Sequence, residues 1–172
     1  MSYSNQASSQ SAYSNVQPIW KFCFLYIITY GFYEIPWSHK HWKFIKEREG
    51  LQINPWWRAI FLPFTLYWLA KKILLLAEEK RYRSKYSPAA IVAFYWLFRI
   101  LSFSDTIVSY ITFILSCLLL LTIVKAANSF WEKEQPNLPV RQNWTIGEVI
   151  WTVFGISFWI LVIIASQMPE NN

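Results

Sequence analysis

Residues 106 to 124 read TIVSYITFILSCLLLLTIV, nineteen positions without a charge. A helix of that length rises about 28 Å, close to the roughly 30 Å hydrocarbon core of a bilayer. A second stretch of the same kind, Val149 to Pro169, runs for 21 uncharged residues. The rest of the composition agrees. Of 172 residues, 55% are hydrophobic and 20% aromatic, with 11 Trp, while only 15% are charged. A water-soluble chain of this size has more surface than so few polar residues can cover, so much of it is expected to face lipid. The expected fold class is all-α: a polytopic helical membrane protein with about four transmembrane helices plus a re-entrant or interfacial helix.

Working back from residue 106, Ser104-Asp105 reads as a cap and Ser102-Phe-Ser-Asp105 as a tight turn. Residues 88–102 and 105–125 then form an out-and-back pair of spans. Asn54-Pro55 and Ser87-Pro88 each place a capping side chain before a proline at the first helical position, where the missing N–H costs nothing. Thr145-Ile-Gly-Glu148 is a capping box that opens a span over 148–168. Asn143-Trp-Thr145 has the form of a glycosylation sequon, but its residues serve better as helix punctuation. Towards the N-terminus, Pro18 precedes an apolar run read as a first span over 19–37, with Lys21 and Glu34 near its ends, where charged side chains snorkel. Residues 1–17, MSYSNQASSQSAYSNVQ, have the composition of a disordered polar tail ahead of a membrane domain over 18–169. No positive n-region or small-residue cleavage pattern precedes the first apolar run, so no cleaved signal peptide is expected.

The charges set the expected orientation. Of 16 Lys and Arg, 14 fall in three segments, Lys40 to Arg58, Lys71 to Lys85 and Lys125 to Arg141, and neither tail carries one. The positive-inside rule puts all three segments in the cytoplasm and both termini on the outer side. Residues 55–76 then cannot cross. With Pro63 at the centre, Trp56, Trp57 and Trp68 near the ends and Arg58 and Lys71 as flanks, they read as a re-entrant or interfacial segment.

Residues 36–49, PWSHKHWKFIKERE, read as an amphipathic interface helix that Pro36 separates from the first span and Gly50 closes. Trp37, His41, Phe44, Ile45 and Arg48 recur on one side, and His39, Lys40, Lys43, Lys46 and Glu47 crowd the other. Its aromatics belong at headgroup level and its lysines on lipid phosphates, so no nucleic acid is expected. His39 and His41, two apart, point about 200° from one another and cannot grip one metal. Glu34 and His41, seven apart, share a face and form a candidate proton-accepting pair. Arg99 and Asp105 flank the hairpin turn, where they pair with each other or reach headgroups. Cys23 and Cys117 lie in apolar runs without metal or redox spacing. There is no Gly-rich phosphate loop and no G-x-S-x-G, so no catalytic residue, no metal and no cofactor is expected.

Gly31-Phe-Tyr33, Trp37, Lys40-His-Trp42-Lys43 and the run Asn54-Pro-Trp-Trp-Arg-Ala-Ile-Phe61 resemble the signature of a family of small bacterial integral membrane proteins of unknown function, G-[IF]-Y-x-x-x-W-x-x-K-x-W-K. Ala126-Ala-Asn128-x-x-Trp131 and the closing Gly/Trp-bearing helix extend the likeness over residues 18–167. The resemblance implies several helices in the inner membrane of a bacterium, or in the thylakoid if the source is cyanobacterial-like, and brings no known activity. Glu34, Pro36, His39 and His41 depart from the family pattern.

Two functions follow from these readings. The first is a non-enzymatic membrane protein that engages anionic lipid, a protein partner or a second copy of itself through its basic cytoplasmic face, shaping the membrane with its short hairpins. Its lipid-facing charges would be Lys40, Lys43, Lys46, Arg58, Lys71, Lys72, Arg81, Arg83 and Lys85. The second is a small transporter or channel component with Glu34, His39, His41, Arg99 or Asp105 on an ionisable path. The first is preferred, because the spans lack the broken, polar-faced helices of transporter sites.

Overall fold

The computed structural model describes residues 13–103 and 107–167. Among them the backbone forms seven helices: α1 (Ile19–Ile28), α2 (Glu34–Glu49), α3 (Pro55–Ile60), α4 (Leu62–Glu79), α5 (Pro88–Leu101), α6 (Ile107–Glu134) and α7 (Ile146–Ser166). The all-helical expectation holds. Two of these helices, α6 and α7, are long and apolar enough to cross a membrane, so four crossings are not supported. The span expected over 88–102 is α5, whose 14 residues rise about 21 Å, well short of a roughly 30 Å core.

The span expected over 19–37 is a hairpin. α1 stops after 10 residues, and Tyr30 and Gly31 both take left-handed backbone, at φ 51° and 90°. At Gly31 a side chain would be strained by that φ and would also meet Arg99, whose Nη2 lies 3.2 Å from where a Cβ would stand. Tyr30 bears a cost of roughly 1 kcal/mol for its backbone. Its ring stacks on Phe113 at 4.7 Å, and its hydroxyl donates to the Ser102 carbonyl at 3.1 Å. Buried Thr29 closes the turn: its Oγ1 donates to the Leu25 carbonyl at 2.6 Å and accepts from the Tyr33 N–H at 2.9 Å. α2 therefore returns beside α1, with Trp37 edge-on to Phe22 at 5.6 Å and Lys40 Nζ 3.1 Å from the Asn15 carbonyl. Pro36 is not the break; it sits in the first turn of α2, where helices tolerate proline.

Helix punctuation follows the sequence elsewhere. Asn54 accepts from the N–H groups of Trp56 and Trp57, Ser87 from Ala90, and the Thr145–Glu148 capping box is complete. Gly50 ends α2. Ser104 and Asp105 lie outside the described residues. The 55–76 segment consists of α3 and most of α4, broken at Phe61 rather than at Pro63, and it exposes Trp56, Trp57, Phe64 and Trp68.

α6 is the central helix, packed on both α5 and α4. α7 runs parallel to α1: Glu148 lies beside Lys21, Gly155 against Ile28, and Phe158 beside Tyr30. Residues 13–17, expected to be tail, are tied down at the end where α7 begins. The Ser14 N–H donates to the Pro139 carbonyl at 2.9 Å and the Asn15 N–H to Gln135 Oε1 at 2.8 Å. The Asn128 amide brackets the backbone of Gln17. α7 then carries Ser166 about 30 Å away. The two ends of the described chain thus leave from opposite ends of the bundle.

Candidate functional site: a basic end and a buried Glu–Tyr–Arg group

The C-terminal ends of α2, α4 and α6 meet, and they bring the three basic segments together. Arg48 pairs with Glu79 at 2.8 Å, Lys72 with Glu49, and Lys80 with Glu134 at 2.6 Å. The Lys133 ammonium donates to the Lys80 carbonyl. Around this junction Lys43, Lys71, Arg81, Arg83 and Lys85 are exposed and form no ion pair among the described residues. Lys46 is half-buried. Arg58, on α3, lies over the Trp42 ring at 4.5 Å, a cation–π contact that fastens α3 to α2. Lys40 stands apart from the junction, at the N-terminal segment.

The two histidines diverge, as their spacing requires. His39 stacks on Trp56 at 3.9 Å; partial burial, and then the Lys43 charge, hold its pKa below the ordinary histidine value. His41 is interior rather than interfacial. It lies edge-on to Trp37 at 4.7 Å and shares an apolar void with Phe44, Ile73 and Phe130. Burial, with the Lys40 charge as a lesser cause, pushes its pKa down to about 3, so it is neutral at physiological pH.

Glu34 and His41 do not meet. Glu34 instead accepts a 2.6 Å hydrogen bond from the Tyr95 hydroxyl, at the opposite end of α2. Arg99, one helical turn beyond Tyr95, lies among the rings of Tyr30, Phe103 and Phe113, with its carbon 5.5 to 5.8 Å from their centroids. Its Nη1 is buried without a hydrogen-bond partner. Beside it, the Tyr26 and Ser116 hydroxyls are 3.0 Å apart. Asp105, the expected partner of Arg99, lies outside the described residues.

The buried ion pair escaped the sequence reading. Lys21, expected to snorkel, is 1% exposed. Its ammonium donates to the Asn143 carbonyl at 2.8 Å and to Glu148 Oε2 at 3.3 Å. The same carboxylate oxygen accepts the Thr145 N–H at 2.8 Å, so a single Glu both caps α7 and neutralises a buried Lys on α1. Only the capping box, which announces a useful carboxylate at Glu148, was visible beforehand. Among the described residues no three His, Cys, Asp or Glu side chains converge on a metal position, and Cys23 and Cys117 are free thiols. The chain matches no protein-family model, no curated protein and no solved structure.

Proposed function

We propose that this chain is a non-enzymatic integral membrane protein that engages anionic lipid through its basic end, in the inner membrane of a bacterium. The observation that carries this reading is the meeting of the C-terminal ends of α2, α4 and α6, which gathers cations from all three basic segments at one end of a bundle that otherwise exposes apolar and aromatic side chains. Five exposed cations there have no carboxylate partner among the described residues, and each near an anionic surface contributes about 1 kcal/mol. At the opposite, N-terminal end of α4 the α3–α4 break exposes Trp56, Trp57, Phe61 and Phe64, and tryptophan is a residue type that lies at headgroup depth. A protein partner would need an acidic, apolar-rimmed face to meet the same surface.

The test is reconstitution-free binding of the detergent-purified protein to vesicles. Retention on phosphatidylglycerol-containing vesicles at low salt, lost on phosphatidylcholine vesicles and at 1 M salt, where the Debye length shrinks to about 3 Å, supports the reading. Equal retention on both lipids contradicts it. A transport role finds its one supporting observation in the Glu34–Tyr95 bond with Arg99 close by, since ionisable groups at such depth are costly. Proteoliposome proton flux that vanishes in Glu34→Gln would favour it over lipid engagement.

A further inference from the structure

At the end where α1 and α7 begin lies a cavity of about 360 Å³, within the roughly 300–1,000 Å³ range of small-molecule sites. It is separate from the ion-paired junction of α2, α4 and α6. Two cations line it, Lys40 from α2 and Arg141 from the α6–α7 connection. Another lining residue, Trp37, carries a buried N–H donor, Nε1, with no acceptor. Trp37 is 97% buried, at 3% exposure, so its indole N–H has neither protein nor bulk water to satisfy it, and a buried donor without a partner costs about 1–3 kcal/mol. The carboxylate in the wall, Glu148, is already engaged by Lys21 and by the Thr145 N–H. The remaining wall is apolar ring and proline: Tyr33, Trp151, Pro18 and Pro36.

A donor without an acceptor, two cations and a neutralised carboxylate ask for an anion that accepts several hydrogen bonds, and rings beside them ask for an adjoining apolar part. We propose that this cavity binds a phosphate-bearing anion, with Lys40 and Arg141 as its charge partners and the Trp37 N–H as its donor. A lipid headgroup and free phosphate both offer that chemistry. The headgroup source rests on the anionic-lipid reading above and narrows it from a face to a site.

The experiment titrates the full-length protein, in mild non-ionic detergent, with dihexanoyl phosphatidylglycerol, dihexanoyl phosphatidylcholine and inorganic phosphate, reading heat and, by native mass spectrometry, stoichiometry. The expected result is saturable one-to-one binding of the phosphatidylglycerol, at least about tenfold tighter than phosphatidylcholine. Exposed Arg141→Gln and Lys40→Gln should each weaken it about tenfold and Trp37→Phe, which keeps a ring but removes the N–H, about fivefold, since bonds to a charged acceptor are the strong ones. Ser166→Ala, at the far end of α7 from the cavity, should leave it unchanged. Inorganic phosphate that binds as tightly and competes keeps the site and assigns it to free phosphate. Equal affinity for the two lipids, or Arg141→Gln and Trp37→Phe both binding like the unaltered chain, overturns the proposal. Vesicle retention is scored separately: if it fails while the soluble lipid still binds one-to-one, the basic-face reading falls and the cavity stands.

Discussion

α6 and α7 look alike as sequence and behave unlike as structure. Both hold a window apolar enough to cross a bilayer, yet 44% of that window is buried in α6 and 6% in α7. α6 is held on two sides, by α4 and α5, and supplies Phe113, Leu120, Ile123, Val124 and Phe130 to the core. α7 leans on α1 and shows most of its flank outward. Hydropathy therefore identifies what tolerates lipid, not what the protein packs around. In α6 the specification comes from side-chain interdigitation; in α7 it comes from a few anchors, namely the Lys21–Glu148 pair, the capping box and the close approach at Gly155.

The comparison can be broken at those anchors. The largest effect is expected from Lys21→Met. It leaves the Glu148 carboxylate buried with only its cap, and losing one partner of a buried pair costs about 3–5 kcal/mol. Thermal unfolding in detergent should show it, and Lys21→Met/Glu148→Gln should recover part of the loss. Next, Leu120→Ala should cost about 2 kcal/mol or more from the cavity it opens in α6, whereas Leu161→Ala, at an exposed position of α7, should fall within about 0.5 kcal/mol of the unaltered protein. Equal losses would mean that α7 is packed as α6 is. Gly155→Ala places a Cβ 2.6 Å from the Ile28 carbonyl oxygen, so α7 must move off α1, at about 1–3 kcal/mol; a cysteine cross-link between the two helices should form more slowly in that variant. Thr145→Ala removes one cap and should cost about 1 kcal/mol.

One effect is visible only in acid and concerns the α6 side. His41 packs against α6 residues and stays neutral in the fold. Its folded pKa, about 3, lies below the unfolded value near 6.5. The unfolded chain therefore takes up a proton between those limits that the folded chain refuses, and the stability His41 allows is full above pH 6.5 and declines as pH falls towards 3. The melting temperature should drop over that window, and His41→Phe should flatten the drop. An unchanged pH profile in His41→Phe would place the histidine in water.

Much of this architecture was legible. The uncharged runs gave α6 and α7, and Asn54, Ser87, Thr145 and Gly50 marked helix ends because capping is a local, short-range chemistry. The sidedness of α2 was also readable: Trp37, His41 and Ile45 are buried while Lys40, Lys43 and Glu47 are exposed. What escaped was set by contacts across the chain. Thr29-Tyr-Gly31 reads as apolar helix until Phe113, Ser102 and Arg99 hold Tyr30 and Gly31 in left-handed backbone. Lys21 and Glu148 are 127 positions apart, and no local pattern joins them. Of the candidate site residues, several basic ones lie around the junction while Lys40 and Arg58 lie elsewhere; Glu34 and His41 were linked by helical spacing alone, and Glu34 meets Tyr95 of α5 while His41 lies against Trp37 of its own helix.

The central claim is that the bundle has one charged end, shared by the N-terminal segment and the C-terminal ends of α2, α4 and α6, and one end, reached by α7, without them. Single cysteines at Asn15, Lys85 and Ser166, introduced after Cys23 and Cys117 are replaced by Ser, test it most directly, using a membrane-impermeant maleimide on sealed vesicles of both orientations. The account predicts that Asn15→Cys and Lys85→Cys label from the same side and Ser166→Cys from the other. Labelling of Asn15→Cys together with Ser166→Cys, opposite Lys85→Cys, would restore a crossing between residues 19 and 37 and contradict it.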